Sequence, residues 1–517
     1  MANDGIRSSG ADVGETAGRD TEAADPRNIE PITRVETGIE GLDTVLGGGL
    51  VQGAAYIVQG PPGAGKTIMA NQICFHRAAR GENALYMTLL AENFGRMFSH
   101  MQGFSFFDTA QIPERVFYAS AYAAVRDEGL DALLKVIFGE IRRRKPSIMV
   151  LDGLFVAQDK TTGLDAGNEF RVFVHELAQQ AAMFDCTILI LTNQNRRSSS
   201  PEYTMVDGWI ELQDEIRGER SLRSLVVQKQ RGGAMLRGRH EYRIDDGGLA
   251  VYPRLETLAS REPVSGADTG RVSTGIAALD EMLGGGLPEH SSTVVIGPTG
   301  SGKTTIAMQF LGDATRDDKG LLFGFYETPD RLIRKAQTVG VDMDALITRG
   351  VVEVRWQPPM ENLLDDLGQR IVTAVEETGA SRVVIDGINA FKRPVVGPGR
   401  LHSFLRALND MLKRRGATTL FTREVPQLFF PEALAVEELS GTIDNTILLH
   451  YALDGNAVRR RASILKVRDS DFDHLSQEFI VTEDGIQFRR PEGDRELAGT
   501  TTSATVVTPS AGGGRAL

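Results

Sequence analysis

The chain of 517 residues has only two cysteines, Cys74 and Cys186, and neither belongs to a Cys-x-x-Cys pair. That argues against a zinc ribbon or a disulfide framework and makes a reducing cytosol the expected setting. No His/Cys cluster has metal-ligand spacing. Long apolar runs are missing as well. Nothing approaches the ~18–20 uninterrupted apolar residues of a membrane span, and the stretch from Met1 to Arg7 lacks the apolar core of a signal peptide. Positive charge is in deficit: 57 Lys and Arg stand against 69 Asp and Glu, a formal net charge of -12. An acidic surface repels phosphate backbones, which weighs against a duplex nucleic-acid binder without excluding a local basic channel. The expectation is a soluble cytoplasmic protein with no membrane partner.

What the chain does have is a repeat. Thr37-Gly-Ile-Glu-Gly-Leu-Asp43 answers to Thr274-Gly-Ile-Ala-Ala-Leu-Asp280, 237 positions later, and Gly47-Gly-Gly-Leu50 answers to Gly284-Gly-Gly-Leu287. Lys66 and Lys303 keep that spacing, as do Lys229 and Lys466. A spacing held from first motif to last means duplication of a whole domain. The expected division is a disordered tail over 1–30, a first domain over 31–258, a linker over 259–270, a second domain over 271–490 and a disordered tail over 491–517. The tails have too few large apolar side chains to offset chain entropy.

Short apolar runs that lean towards β-structure open each half at Ala54–Val58 and Ser292–Ile296. Further runs at Ser147–Asp152, Thr187–Thr192, Arg382–Asp386 and Thr418–Thr422 suit buried parallel strands separated by helical stretches. The predicted fold class is α/β, twice, each domain a mainly parallel sheet covered by helices on both faces.

Two segments carry the sharpest chemical signal. Gly60-Pro-Pro-Gly-Ala-Gly-Lys-Thr67 and Gly297-Pro-Thr-Gly-Ser-Gly-Lys-Thr304 both fit GxxxxGK[ST] and both follow predicted strands. Gly60, Gly63 and Gly65, with Gly297, Gly300 and Gly302, let backbone N–H groups curl around phosphates at a helix N-terminus. Lys66 and Lys303 are expected to reach the β- and γ-phosphates of ATP, and Thr67 and Thr304 to hold Mg²⁺. Asp152 and Asp386, each ending an apolar strand, are the expected partners of that metal, although an acidic turn residue is common after any strand.

Hydrolysis also needs a group that orients or deprotonates the nucleophile. Glu327 ends the predicted strand from Leu321 and is the candidate base. At the 237-residue spacing its counterpart is Leu90, and the nearest carboxylate of the first half, Glu92, suits a solvated loop. Near each domain's end, Lys229 and Arg231, and Lys466 and Arg468, form Lys-x-Arg pairs whose side chains share one face of an extended segment. In a ring they could address a neighbour's γ-phosphate; a charged edge strand is the equal alternative. Arg142–Lys145 suits a solvated helix end, and Arg459–Arg461 a hairpin turn.

With its duplicated P-loops, Gly-Gly-Gly-Leu lead-ins, strand-end Asp residues and paired Lys-x-Arg segments, the sequence over roughly 31–490 resembles the KaiC family, the double-domain ATPases and autokinases of the circadian clock within the RecA-like superfamily. The resemblance implies two stacked rings in a homohexamer with ATP at subunit interfaces and signalling protein partners. It also implies adjacent glutamates at each site and autophosphorylation of a Ser-Thr pair in the second domain. This sequence departs at three places. The glutamate pair falls on Tyr326-Glu327 in the second half and on Leu90-Ala91 in the first, and the phosphoacceptor pair falls on Ser440-Gly441. The implied function is an ATP-binding, ATP-hydrolysing protein that phosphorylates itself on Ser440, with Thr442 a second candidate. A nucleotide-gated scaffold and a RecA-like nucleic-acid ATPase are the alternatives.

Overall fold

The apolar runs fold as strands because each is buried along all or nearly all of its length, and successive side chains leave on opposite faces. Along Ala55–Gln59, Tyr56 and Val58 join one core, beneath the helix Lys66–Ala79. Ala55 and Ile57 join another, beneath the helices Tyr122–Arg144 and Ala166–Met183. Ser292–Gly297 divides the same way, Val294 and Ile296 to one side and Val295 to the other. This is a computed structural model, and it describes residues 31–90, 94–154, 166–193, 202–259, 270–395, 397, 399–426, 441–468 and 470–489. Both expected tails, most of the expected linker, Ala91, Glu92 and Ser440 lie outside the described residues.

Each half is a nine-stranded sheet with the same topology. The first runs Gly248–Tyr252, His240–Asp245, Arg220–Gln230, Gly208–Arg217, Ala55–Gln59, Thr187–Thr192, Ile148–Asp152, Ala84–Thr88, Val116–Ser120. From Gly208–Arg217 onward the neighbours are parallel; the other three strands are antiparallel additions. The second sheet repeats this from Val352–Trp356 through Ser292–Gly297 to Gly485–Arg489. These are two tandem RecA-like α/β domains.

The repeated lead-in motif is structural. Asp43 Oδ1 accepts from the backbone N–H and hydroxyl of Thr37 at 2.9 and 2.8 Å, and Asp280 Oδ1 does the same for Thr274 at 2.8 and 2.6 Å.

The domains are joined by more than chain. Leu255, on the short helix Leu255–Leu258, is buried in the second domain's core. Beside it lies a buried polar knot. Asp365 Oδ1 accepts from the Leu255 N–H at 3.2 Å, and Glu241 Oε2 accepts from the Asp365 N–H at 3.1 Å. Arg400 donates to both carboxylates. Leu255 and Glu241 fall within the stretch expected as the first domain, and Asp365 and Arg400 within the second.

Candidate nucleotide sites

Each P-loop runs from the end of a buried strand into a helix, Lys66–Ala79 or Lys303–Gly312, capped by a glycine in the left-handed region. Gly65 (φ 95°) shows why no other residue fits there: a Cβ on it would also lie 2.4 Å from Ile244 Cδ1. Both lysines fold back on their own loops. Lys66 Nζ donates to the carbonyls of Gly60 and Pro61 at 2.8 and 3.0 Å, and Lys303 Nζ to those of Gly297 and Pro298 at 2.9 and 2.8 Å. Burial lowers the pKa of both ammonium groups.

In the second domain the P-loop opens onto a cavity of about 640 Å³ that Lys303, Thr304, Glu327 and Asp386 share. Asp386 is held by the Thr422 hydroxyl, which also accepts from the Gly387 N–H at 2.8 Å. Burial, the largest influence, raises the Asp386 pKa, and the Thr422 bond opposes it. Lys335 and Arg460 are among the residues of this cavity that were not legible as site residues. Lys335, on the helix Pro329–Gln337, donates to Glu327 Oε1 at 2.9 Å. Arg460 donates to the Gly300 carbonyl at 3.2 Å. Arg459–Arg461 therefore do not form the expected turn; they lie within the strand Ala457–Lys466, because the turn is completed at Gly455-Asn456.

The first domain differs at the same depth. Asp152 Oδ2 accepts from the Tyr86 hydroxyl at 2.6 Å. Burial first, and the Asp152 charge next, raise the Tyr86 pKa well above its ordinary value. Among the described residues no three His, Cys, Asp or Glu side chains group in a way that could hold a metal.

Comparison with known proteins decides the family. The family model described as "ATPase: KaiC" matches twice, over residues 35–256 and 272–493. The chain belongs to the KaiC family. Similar proteins include the circadian clock oscillator protein KaiC of Acaryochloris marina, 25% identical over 480 residues that cover 90% of this chain and 90% of that protein. The KaiC of Thermosynechococcus vestitus is 27% identical over 478 residues, covering 89% of each chain. That of Synechococcus elongatus is 24% identical over 497 residues, covering 92% of this chain and 93% of its own.

Within this KaiC frame the strand registers correct one sequence alignment. Thr88 pairs with Asp152 and Gly324 with Asp386, so the two halves are offset here by 236 residues and not 237. Leu90 therefore matches Tyr326, and Glu327 matches Ala91. The glycines agree: a Cβ on Gly153 would strike the Leu90 side chain at 2.6 Å, and one on Gly387 would strike Tyr326 at 2.6 Å. One residue fewer between P-loop and strand accounts for the slip, which a constant spacing cannot register.

The Lys-x-Arg pairs of this KaiC chain sit away from their own P-loops. Lys229 Nζ donates to the carbonyls of Tyr203, Thr204 and Val206 at 3.0, 2.9 and 2.6 Å, and Lys466 Nζ to that of Ile443 at 2.8 Å. Arg231 stands 3.6 Å from Asp207, and Arg468 3.4 Å from Asp444. The strands bearing the lysines have neighbours on both sides along part of their length, but at Lys229 and Lys466 each is paired on one side only, with Trp209 and Thr446. Thr442 is buried, its hydroxyl 3.0 Å from His402 Nδ1.

Proposed function

We propose that this KaiC-family protein hydrolyses ATP in its second domain and transfers the γ-phosphoryl group to Ser440 of a neighbouring copy within a homohexameric ring. The observation that carries the reading is the shared cavity of Lys303, Thr304, Glu327 and Asp386. Backbone N–H groups at Gly297, Gly300 and Gly302 cradle the phosphates, and Lys303 exchanges its loop carbonyls for the β- and γ-oxygens. Thr304 and Asp386 supply the hard oxygen donors that Mg²⁺ prefers. An ion held by Thr304 and Asp386 would supply electrostatic stabilisation of the charge that builds during transfer. Glu327 accepts the proton of the attacking water or serine hydroxyl as the new O–P bond forms and the bond to the β,γ-bridging oxygen breaks, releasing ADP.

Gly60, Gly63, Gly65, Lys66 and Thr67 bind ATP in the first domain. Lys466 and Arg468, and Lys229 and Arg231, reach the neighbour's γ-phosphate once a ring forms, exchanging their carbonyl and carboxylate partners for it. The phosphorylation state of the ring in the cytoplasm signals to protein partners. For the first domain the scaffold reading is favoured by Leu90, an apolar side chain packed on Gly153 beside the strand-end Asp152.

The test is incubation with Mg²⁺ and γ-phosphate-labelled ATP, following label into free phosphate and into protein, for wild type, Glu327→Gln and Ser440→Ala. Label in wild-type protein that Ser440→Ala abolishes supports autophosphorylation, and loss of both signals in Glu327→Gln supports the base. Phosphate release without protein label removes the kinase step. ATP binding with neither signal leaves the scaffold.

A further inference from the structure

The strand Thr418–Glu424 lies between the P-loop strand Ser292–Gly297 and the strand Arg382–Asp386, parallel to both. Its last residue, Glu424, stands in register with Gly297, where the second P-loop begins, and lines the cavity that Lys303, Thr304 and Asp386 share. Two bonds hold it there. The Thr299 hydroxyl, inside the P-loop, donates to Glu424 Oε1 at 2.6 Å, and Asn389 Nδ2 donates to the Glu424 carbonyl at 2.9 Å. The loop is held from its other flank by the strand Asn445–Asp454, whose Tyr451 hydroxyl donates to the Thr299 carbonyl at 3.2 Å.

A carboxylate fixed to the loop at this place stands where a third phosphate must go. The P-loop lysine reaches the β- and γ-phosphates, so the γ-phosphate lies between Lys303 and the strand-end carboxylates. A diphosphate stops one phosphoryl group short of them. A like charge beside the γ-position therefore weakens a bound triphosphate and leaves a diphosphate nearly untouched. Burial lowers the Lys303 pKa most, and of the two carboxylates that oppose it Glu424 acts more strongly than Asp386. The first domain has no charge at the matching place. Leu191 pairs with Asp152 as Thr422 pairs with Asp386, and two residues further on stand Asn193 and Glu424.

We propose that Glu424 sets the nucleotide preference of the second site: its carboxylate, held against the P-loop by Thr299, opposes the γ-phosphate, so that the site favours a nucleoside diphosphate over a triphosphate. The inference rests on the second P-loop being a nucleotide site, and it adds a specificity-determining residue to that site. After phosphoryl transfer the diphosphate left behind is the better-held ligand, which slows its exchange for fresh ATP. The first site, with Asn193, has no such bias from this position.

The test is the affinity of ADP and of the β,γ-imido analogue of ATP, each with magnesium, for the full chain carrying Lys66→Ala to silence the first site. Glu424→Gln keeps an oxygen that accepts from Thr299 and removes only the charge. It is expected to tighten the triphosphate analogue by at least about tenfold and to change ADP by less than about threefold. Thr299→Val frees the carboxylate from the loop and is expected to move the ratio of the two affinities the same way, by about threefold or more. A ratio unchanged in both variants overturns the proposal and leaves the nucleotide reading intact. So does an unsubstituted second site that binds the triphosphate analogue more tightly than ADP. No binding of either nucleotide, with or without the Glu424 charge, overturns both readings. A second measurement leaves Lys66 in place. In Glu424→Gln the triphosphate analogue is expected to displace a fluorescent ADP analogue from about half of the sites at about tenfold lower concentration, and an unchanged displacement curve counts against the proposal.

Discussion

The Lys335 ammonium lies 2.9 Å from Oε1 of Glu327, so the candidate base of the second site is held by a cation from the helix that follows it. Lys335 shares the cavity with Lys303, and its hydrogen bond runs to Glu327, so it acts as a positioning residue for that carboxylate. Lys335→Met should lower phosphate release by about tenfold to a hundredfold, because a misplaced base loses its line to the nucleophile, while ATP affinity changes little. Lys335→Arg should recover much of the rate. If Lys335→Met weakens ATP binding as much as turnover, the lysine serves binding and not the base.

Thr422 bridges Asp386 and the Gly387 N–H. Thr422→Val keeps the shape and removes both bonds, one of them to a half-buried carboxylate. A hydrogen bond to a charged group contributes about 1.5–3 kcal/mol, so magnesium-dependent ATP affinity at the second site should fall by about tenfold or more. Magnesium-free binding should be nearly unaffected. Titration calorimetry with and without the ion separates the two.

The knot between the domains has a pH signature. Burial first, and the Glu241 charge next, push the Asp365 carboxyl up to about 7. The folded protein therefore keeps a proton that the unfolded chain loses near the ordinary value of 3.8. Stability from that proton is full below the unfolded value and is lost as the pH rises through the folded one. Relative to wild type, Asp365→Asn should gain stability as the pH rises towards about 7 and level off above it, whatever its fixed offset. Urea midpoints across that range measure this, and a difference independent of pH would refute it.

Leu255 precedes the expected linker in sequence yet is fully buried in the second core. Leu255→Ala should destabilise the second domain by about 2–5 kcal/mol, the usual cost of a buried leucine deletion. Denaturation followed by second-domain probes should show the loss, with the first domain's transition much less affected.

The fold was legible because its signals are local. A strand buried on both faces must be apolar between its ends, as Ile148–Asp152 and Thr187–Thr192 are, and a loop shaped to curl around phosphate places glycines where Gly63, Gly65, Gly300 and Gly302 stand. Where the sequence misjudged, the information was not local. A constant spacing set Leu90 against Glu327, but the register of Thr88 on Asp152 fixes the true match. The Arg459–Arg461 run looked like a turn because its charge says nothing of where a strand begins.

By itself, then, the sequence determined two α/β domains, two P-loop motifs with their lysines and strand-end aspartates, and the unequal supply of glutamates, since each is written in a short stretch of chain. Only the tertiary structure decided that Tyr86 reaches Asp152, that Lys335 holds Glu327, that Arg460 touches the P-loop and that Leu255 belongs to the second core. Parallel strands are joined by long crossovers, so side chains that meet across them are far apart in sequence. Register, and not spacing, brings them together.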